Sequence, residues 1–168
     1  MNEKVYCVDN YWDMTIIEGI AQYNNENYFF ECVFSDEDDD WSNMYNLTLL
    51  DKNIFKISME NWEYWKQWLK DYNNGIKIIP HSVEYAKKRQ TMTMEEIVCE
   101  INKVNNLIKL TEENYTIKSA ENYYQNKIII KKYLENNKPM YKARSSFCGD
   151  LRGINKTEVK WENLIKIN

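Results

Sequence analysis

The chain is poor in the residues that make tight turns, since its 168 residues include only four glycines and two prolines. An all-β barrel with many tight turns and a glycine-rich nucleotide-binding loop both depend on such residues, so we expect neither. No apolar run approaches the ~18 residues of a membrane span, and the N-terminal segment MNEKVYCVDNYW has no signal-peptide pattern. These absences predict a cytoplasmic protein with no membrane partner.

Metal-ligating residues are also scarce. His81 is the only histidine, and the four cysteines lie far apart, at Cys7, Cys32, Cys99 and Cys148. Zinc sites use closely spaced ligand pairs, so the pattern predicts free thiols. The acidic run after Ser35 fails as a calcium loop, because Trp41 stands where the loop needs glycine. We therefore expect no metal and no cofactor.

No residue pattern for catalysis accompanies His81. Ser145-Ser146 lacks the glycines of a nucleophile elbow, and residues 149–153 (GDLRG) lack a phosphate-binding pattern. The sequence therefore predicts that the protein is not an enzyme.

The segments that are present alternate between strand and helix signals. Strands are predicted where β-branched and aromatic residues cluster, and Asp51 is a good cap for a helix that ends at Gly75. A capping box begins at Thr93, and a further helix is predicted over 119–135. The predicted strands are 4–8, 16–23, 28–34, 45–49, 140–147 and 157–164, with a loop over 9–15.

This order, strands then helices then strands, predicts an α+β fold. We expect an antiparallel sheet formed by the N- and C-terminal strands, with two to four helices packed on one face. Residues 1–168 are expected to form a single domain, with a loop or insertion around 111–118.

Charge is spread unevenly along the chain. Residues 1–50 hold eleven acidic residues and one basic residue, whereas residues 51–168 hold fifteen acidic and twenty-one basic residues. Such asymmetry is found at partner-binding surfaces, and also where two ends of one fold attract each other.

The acidic half contains the first candidate site. Its acids stand next to tryptophans, and aromatic side chains often anchor protein interfaces. We expect this surface to bind a protein partner with a basic cleft. The candidate partner-binding residues are Asp36, Glu37, Asp38, Asp39, Asp40, Trp41, Trp12 and Asp13.

The basic C-terminal half suggests an alternative, a nucleic-acid-associated or nucleotide-processing protein. Its candidate residues are Lys87, Lys88, Arg89, Lys142, Arg144 and Arg152. A third hypothesis is an accessory or structural subunit without an activity of its own. The sequence leaves the oligomeric state open.

Several short strings together resemble a known group of proteins. They include Tyr11-Trp12-Asp13, residues 28–34 (YFFECVF), residues 47–51 (LTLLD) and a late Tyr141-Lys-Ala-Arg144. Over residues 5–70 and 140–163, the chain is similar to small uncharacterised bacterial proteins associated with the immunity-type proteins of toxin systems. That group has no assigned chemistry, so the resemblance implies no catalytic residue. The acidic N-terminal half, the acids beside Trp41 and the lack of an enzyme motif predict an immunity protein or a phage-type inhibitor.

Overall fold

The computed structural model describes residues 1–75 and 115–168. Six strands and two helices lie within these ranges. In chain order they are β1 (Glu3–Trp12), β2 (Thr15–Tyr23), β3 (Glu26–Ser35), β4 (Asp40–Leu49), α1 (Lys52–Asn73), α2 (Ile117–Asn136), β5 (Tyr141–Gly149) and β6 (Thr157–Lys166).

Several sequence-based predictions lie outside the described residues. These are the capping box at Thr93, the histidine His81, the thiol Cys99 and the basic run Lys87, Lys88 and Arg89. No helix in the described part of the chain is long and apolar enough to cross a membrane.

Contacts divide the chain into two compact units. One unit contains Met1–Met59 and Lys131–Asn168, and therefore holds all six strands. The other unit contains Glu60–Ile130.

The six strands form a closed antiparallel barrel in the order β1-β2-β3-β4-β5-β6. Each strand pairs with its neighbour in sequence, and β1 pairs with β6 over Glu3–Val5 and Thr157–Val159. The predicted α+β fold is therefore wrong. The terminal strands were correctly expected to meet in one sheet, but that sheet closes on itself, so its inner face packs against itself rather than against a layer of helices.

Scarce glycine does not prevent an all-β barrel here, because other residues take the positive φ angles that hairpin turns require. The turn between β1 and β2 uses Asp13 (φ 44°) and Met14 (φ 63°), and the turn between β2 and β3 uses Asn24 (φ 50°) and Asn25 (φ 63°). Two consecutive positive φ angles are those of a type I′ turn, and Asn and Asp tolerate them better than most residues. The predicted loop over 9–15 is likewise mostly strand, because β1 continues to Trp12.

The barrel interior is filled by large aromatic rings. Phe30 is fully buried, and its ring lies 5.8 Å from Tyr45, 5.5 Å from Phe147 and 5.7 Å from Trp161, measured between centroids. The Tyr45 hydroxyl donates a hydrogen bond of 2.7 Å to the carbonyl oxygen of Ile16. Burial raises the pKa of Tyr45, so the hydroxyl stays protonated and remains a donor.

The first turn of α1 begins as the sequence predicts. The Ile54 backbone N–H donates to the Asp51 carboxylate at 2.8 Å, which satisfies one of the unpaired donors at the start of the helix. The Tyr133 hydroxyl, in the last part of α2, donates to the carbonyl oxygen of Leu49 at 2.8 Å. It also accepts the Asp51 N–H at 3.3 Å.

The second compact unit contains a polar contact between α1 and α2. Buried Asn61 donates to the carbonyl oxygen of Tyr123 at 3.1 Å and accepts from the Asn126 amide at 3.0 Å. Asn122 donates to the Tyr64 hydroxyl at 3.1 Å. Because buried amides are costly to leave unpaired, these bonds favour one alignment of the two helix segments.

Candidate functional site

The up-and-down order of the strands brings three hairpin tips to the same end of the barrel. These tips are residues 13–14 between β1 and β2, 36–39 between β3 and β4, and 150–156 between β5 and β6. We call this end the hairpin end. The Asn24–Asn25 turn lies at the opposite end, because successive turns of a meander alternate between the two ends.

The β3–β4 hairpin separates from its neighbours before it reaches its tip, whereas the β5–β6 hairpin stays in contact with β1. Within each hairpin, pairing continues to the turn, as in Trp12↔Thr15 and Ser35↔Asp40. Pairing of β2 with β3 and of β4 with β5 ends sooner, at Glu18↔Glu31 and Met44↔Arg144, whereas β6 pairs with β1 from its first residue, at Val5↔Thr157. The hairpin end therefore consists of three lobes, and Gly153 of the β5–β6 lobe lies against Val8 of β1.

The turn and the β1 side of the β1–β2 lobe extend beyond the barrel wall. Strand β1 has buried residues up to Val8, but the four residues from Asp9 to Trp12 are all exposed. Ile16 and Ile17 of the paired strand are buried, and Ile16 lies opposite Tyr11, so only the turn and the β1 side of this lobe are open to solvent. Trp12 is 67% exposed and Met14 is 74% exposed. This lobe presents apolar side chains to any partner.

The β3–β4 lobe carries the acidic run. Asp36, Glu37, Asp38, Asp39 and Asp40 are all exposed. The Ser35 hydroxyl donates to the Asp38 carboxylate at 2.9 Å, and the Trp41 N–H donates to the Asp40 carboxylate at 2.7 Å. These local bonds hold the backbone of the loop while the other carboxylates face solvent.

Trp41 differs from the exposed anchor that its position in the sequence suggested. It is half-buried and packs edge-to-face on Phe34, with ring centroids 5.2 Å apart. Phe34 itself is 41% exposed. Trp41 therefore supports the base of the acidic loop, and the more exposed apolar side chains are those of Trp12 and Met14.

Met14, Tyr11 and Phe34 were not among the candidates chosen from the sequence. Met14 gave no turn signal, because the strands predicted over 4–8 and 16–23 left all of residues 9–15 as a loop and methionine is not a turn-forming residue. Phe34 gave no signal, since aromatic residues in strands are ordinarily buried. Tyr11 lay in the predicted loop over 9–15, where nothing in the sequence distinguished it as a binding residue.

The β5–β6 lobe is organised by the Asp150 carboxylate. It accepts the backbone N–H of Asn155 at 2.9 Å and that of Arg152 at 3.0 Å. The Thr157 hydroxyl donates to the Asp150 carbonyl oxygen. The backbone N–H groups of Asn155 and Arg152 favour the ionised carboxylate and lower the pKa of Asp150 below its ordinary 3.8.

Protonation of Asp150 is therefore expected to loosen this lobe. A lowered folded-state pKa means that the stabilising contribution is complete above pH 3.8, and is lost as pH falls through the folded-state pKa. Hydrogen-exchange protection of the Arg152 and Asn155 amides should persist at pH 5 and disappear below the folded-state pKa. Asp150→Ala should abolish that protection at every pH and cost about 1 kcal/mol of stability. Protection that is unchanged in Asp150→Ala contradicts this account of the lobe.

The alternative basic candidates are dispersed. Lys142 and Arg144 lie on β5, whereas Arg152 lies in the β5–β6 lobe at the hairpin end. Nearby lysines on this face pair with acids, with Lys156 3.2 Å from Glu158 and Lys160 2.8 Å from Glu162. These pairs neutralise the charge that binding to a phosphate backbone requires.

Within residues 1–75 and 115–168, no group of three or more His, Cys, Asp or Glu side chains is placed to hold a metal ion. Comparison of the chain with family models, curated proteins and solved structures found no match.

Proposed function

We propose that the protein is a non-enzymatic protein-binding module that docks its hairpin end onto a basic surface of a partner protein. The observation that carries the proposal is the placement of exposed Trp12 and the exposed acids Asp36–Asp40 on lobes at one end of the barrel. This arrangement suits an immunity protein or an inhibitor that covers the basic cleft of a nucleic-acid-processing enzyme.

The acids and the aromatic residues contribute in different ways. Exposed carboxylates steer a basic partner from a distance, so they raise the association rate and make it depend on salt. A tryptophan that becomes buried supplies binding energy and slows dissociation. A surface with both features is expected to bind quickly at low salt and still hold its partner at physiological salt.

Reversing the acidic lobe tests the proposal. The chain with Asp36→Lys, Asp38→Lys and Asp39→Lys is expected to lose the protein that the unmodified chain retains from an extract of its source cells at physiological salt. With that protein purified, the association rate should fall about tenfold or more, because steering becomes repulsion. Surface plasmon resonance at several salt concentrations measures this change.

The matched control reverses three exposed acids elsewhere, through Glu31→Lys, Glu63→Lys and Glu135→Lys. It changes the net charge by the same amount but leaves the hairpin end intact, so its association rate should remain within about twofold of the unmodified chain. The proposal fails if the unmodified chain retains no protein at physiological salt, or if both triple variants bind equally.

A further inference from the structure

We propose that residues 11–14 (Tyr11, Trp12, Asp13 and Met14), here called the fingertip, insert into an apolar recess within the partner's basic surface. This inference rests on the proposed function and adds the part of the surface that supplies the binding energy. The recess would accept an indole ring and a thioether side chain side by side, enclosed by basic groups that face the acids of the neighbouring lobe.

Exposure of the fingertip is the first observation. Tyr11, Trp12 and Met14 are 38%, 67% and 74% exposed, and they lie at the end of β1 and in the turn that follows it, whereas Ile16 and Ile17 on the paired strand are buried. A narrow two-stranded hairpin can enter a recess that the full width of the barrel cannot. A fold that needed these side chains only for its own stability would bury them.

Backbone conformation at Met14 is the second observation. Its φ of 63° equals that of Asn25, the corresponding residue of the turn at the opposite end of the barrel. Asparagine tolerates this left-handed conformation, whereas methionine is disfavoured in it. The fingertip therefore carries an exposed apolar side chain at a position where glycine or asparagine would give a more stable turn. Strain of this kind is found at functional sites.

The charge of the hairpin end favours a basic protein as its partner over a second copy of this chain or an anionic membrane. A second copy of this chain would bring its own Asp13 and Asp36–Asp40 against the same acids, which repel one another. An anionic membrane would repel these carboxylates in the same way. Lysine and arginine side chains around a recess attract these carboxylates. The apolar and the charged parts of the hairpin end therefore favour the same partner.

Three single variants test the fingertip, with the purified partner described above as the probe. Trp12→Ala should raise the dissociation constant about thirtyfold or more, mostly through faster dissociation. Met14→Gly should raise it about tenfold while making unfolding in urea about fivefold less favourable, because the strain at φ 63° is relieved. A variant that is more stable and yet binds more weakly cannot be explained by damage to the fold.

Asn25→Gly is the matched control. It makes the equivalent change at the opposite turn, so it should leave the dissociation constant within about twofold of the unmodified chain. Binding by Trp12→Ala and Met14→Gly at unmodified strength overturns the inference but leaves the proposed function standing. Absence of any retained protein sinks the proposed function itself.

Two further experiments test whether the fingertip binds a lipid surface or a second copy of the chain. Vesicles of phosphatidylcholine, alone or with phosphatidylglycerol, should not sediment the chain, and light scattering should show no association that depends on Trp12. Either kind of binding, if lost in Trp12→Ala, would assign the fingertip to a lipid surface or a second copy and overturn the inference.

Discussion

Replacing Gly19 with alanine is expected to lower the free energy of unfolding by about 3 kcal/mol or more, at the upper end of the cost of overfilling a core. A Cβ atom at this position would lie 2.7 Å from Cζ of Phe30 and would also fall against the carbonyl oxygen of Cys7. The Phe30 ring is enclosed by other aromatic rings and cannot move away easily. The Cys7 carbonyl belongs to the backbone of the neighbouring strand, which is less able to yield.

Urea unfolding followed by tryptophan fluorescence measures this loss. Gly75→Ala is the informative control, because Gly75 has a positive φ of 72° and no atom of the described residues lies within 4 Å of the position of a Cβ atom. It should cost only about 1 kcal/mol, from backbone strain alone. If the two variants lose equal stability, close packing around Gly19 does not contribute to the free energy of unfolding as predicted.

Local elements of the fold were predictable because their signals are local. The Asp51 cap, the apolar spacing behind it and the stop at Gly75 place a helix that the structure confirms as Lys52–Asn73. The strand predicted over 16–23 is confirmed as Thr15–Tyr23, and the helix predicted over 119–135 is confirmed as Ile117–Asn136. Each signal depends on residues within one element.

Closure of the barrel was not predictable in the same way. It depends on pairing Val5 with Thr157, two residues at opposite ends of the sequence, and a local pattern carries no information about such a register. The alternation of buried and exposed residues looks the same in an open sheet and in a barrel. The fold class was therefore predicted wrongly for two reasons. The sequence does not reveal the long-range pairing of β1 with β6, and Asn and Asp occupy turn positions where glycine was expected.

The candidate site was predictable in its charge but not in its geometry. Five consecutive acids in a loop are visible in the sequence, and exposure of such a run follows from the cost of burying charge. The exposure of each aromatic side chain could not be predicted in this way, since it depends on which rings pack against one another. Phe34 covers part of Trp41, whereas Trp12 extends beyond the barrel wall. A prediction of exposure for either tryptophan needs the pairing of the strands on both sides.

The largest loss of stability is expected from Phe30→Ala, which should lower the free energy of unfolding by about 3–5 kcal/mol, as truncation of a buried phenylalanine does. The ring is fully buried and contacts Tyr45, Phe147 and Trp161. It is also the side chain that a Cβ atom at position 19 would strike. The double variant Gly19→Ala with Phe30→Ala should therefore be more stable than the sum of the two losses predicts, by about 1 kcal/mol or more. Urea unfolding of the four chains measures this coupling, and strictly additive losses would mean that only the Cys7 carbonyl excludes a side chain at position 19. If the double variant is still less stable than Phe30→Ala alone, that difference in the free energy of unfolding measures the cost of the contact with the Cys7 carbonyl.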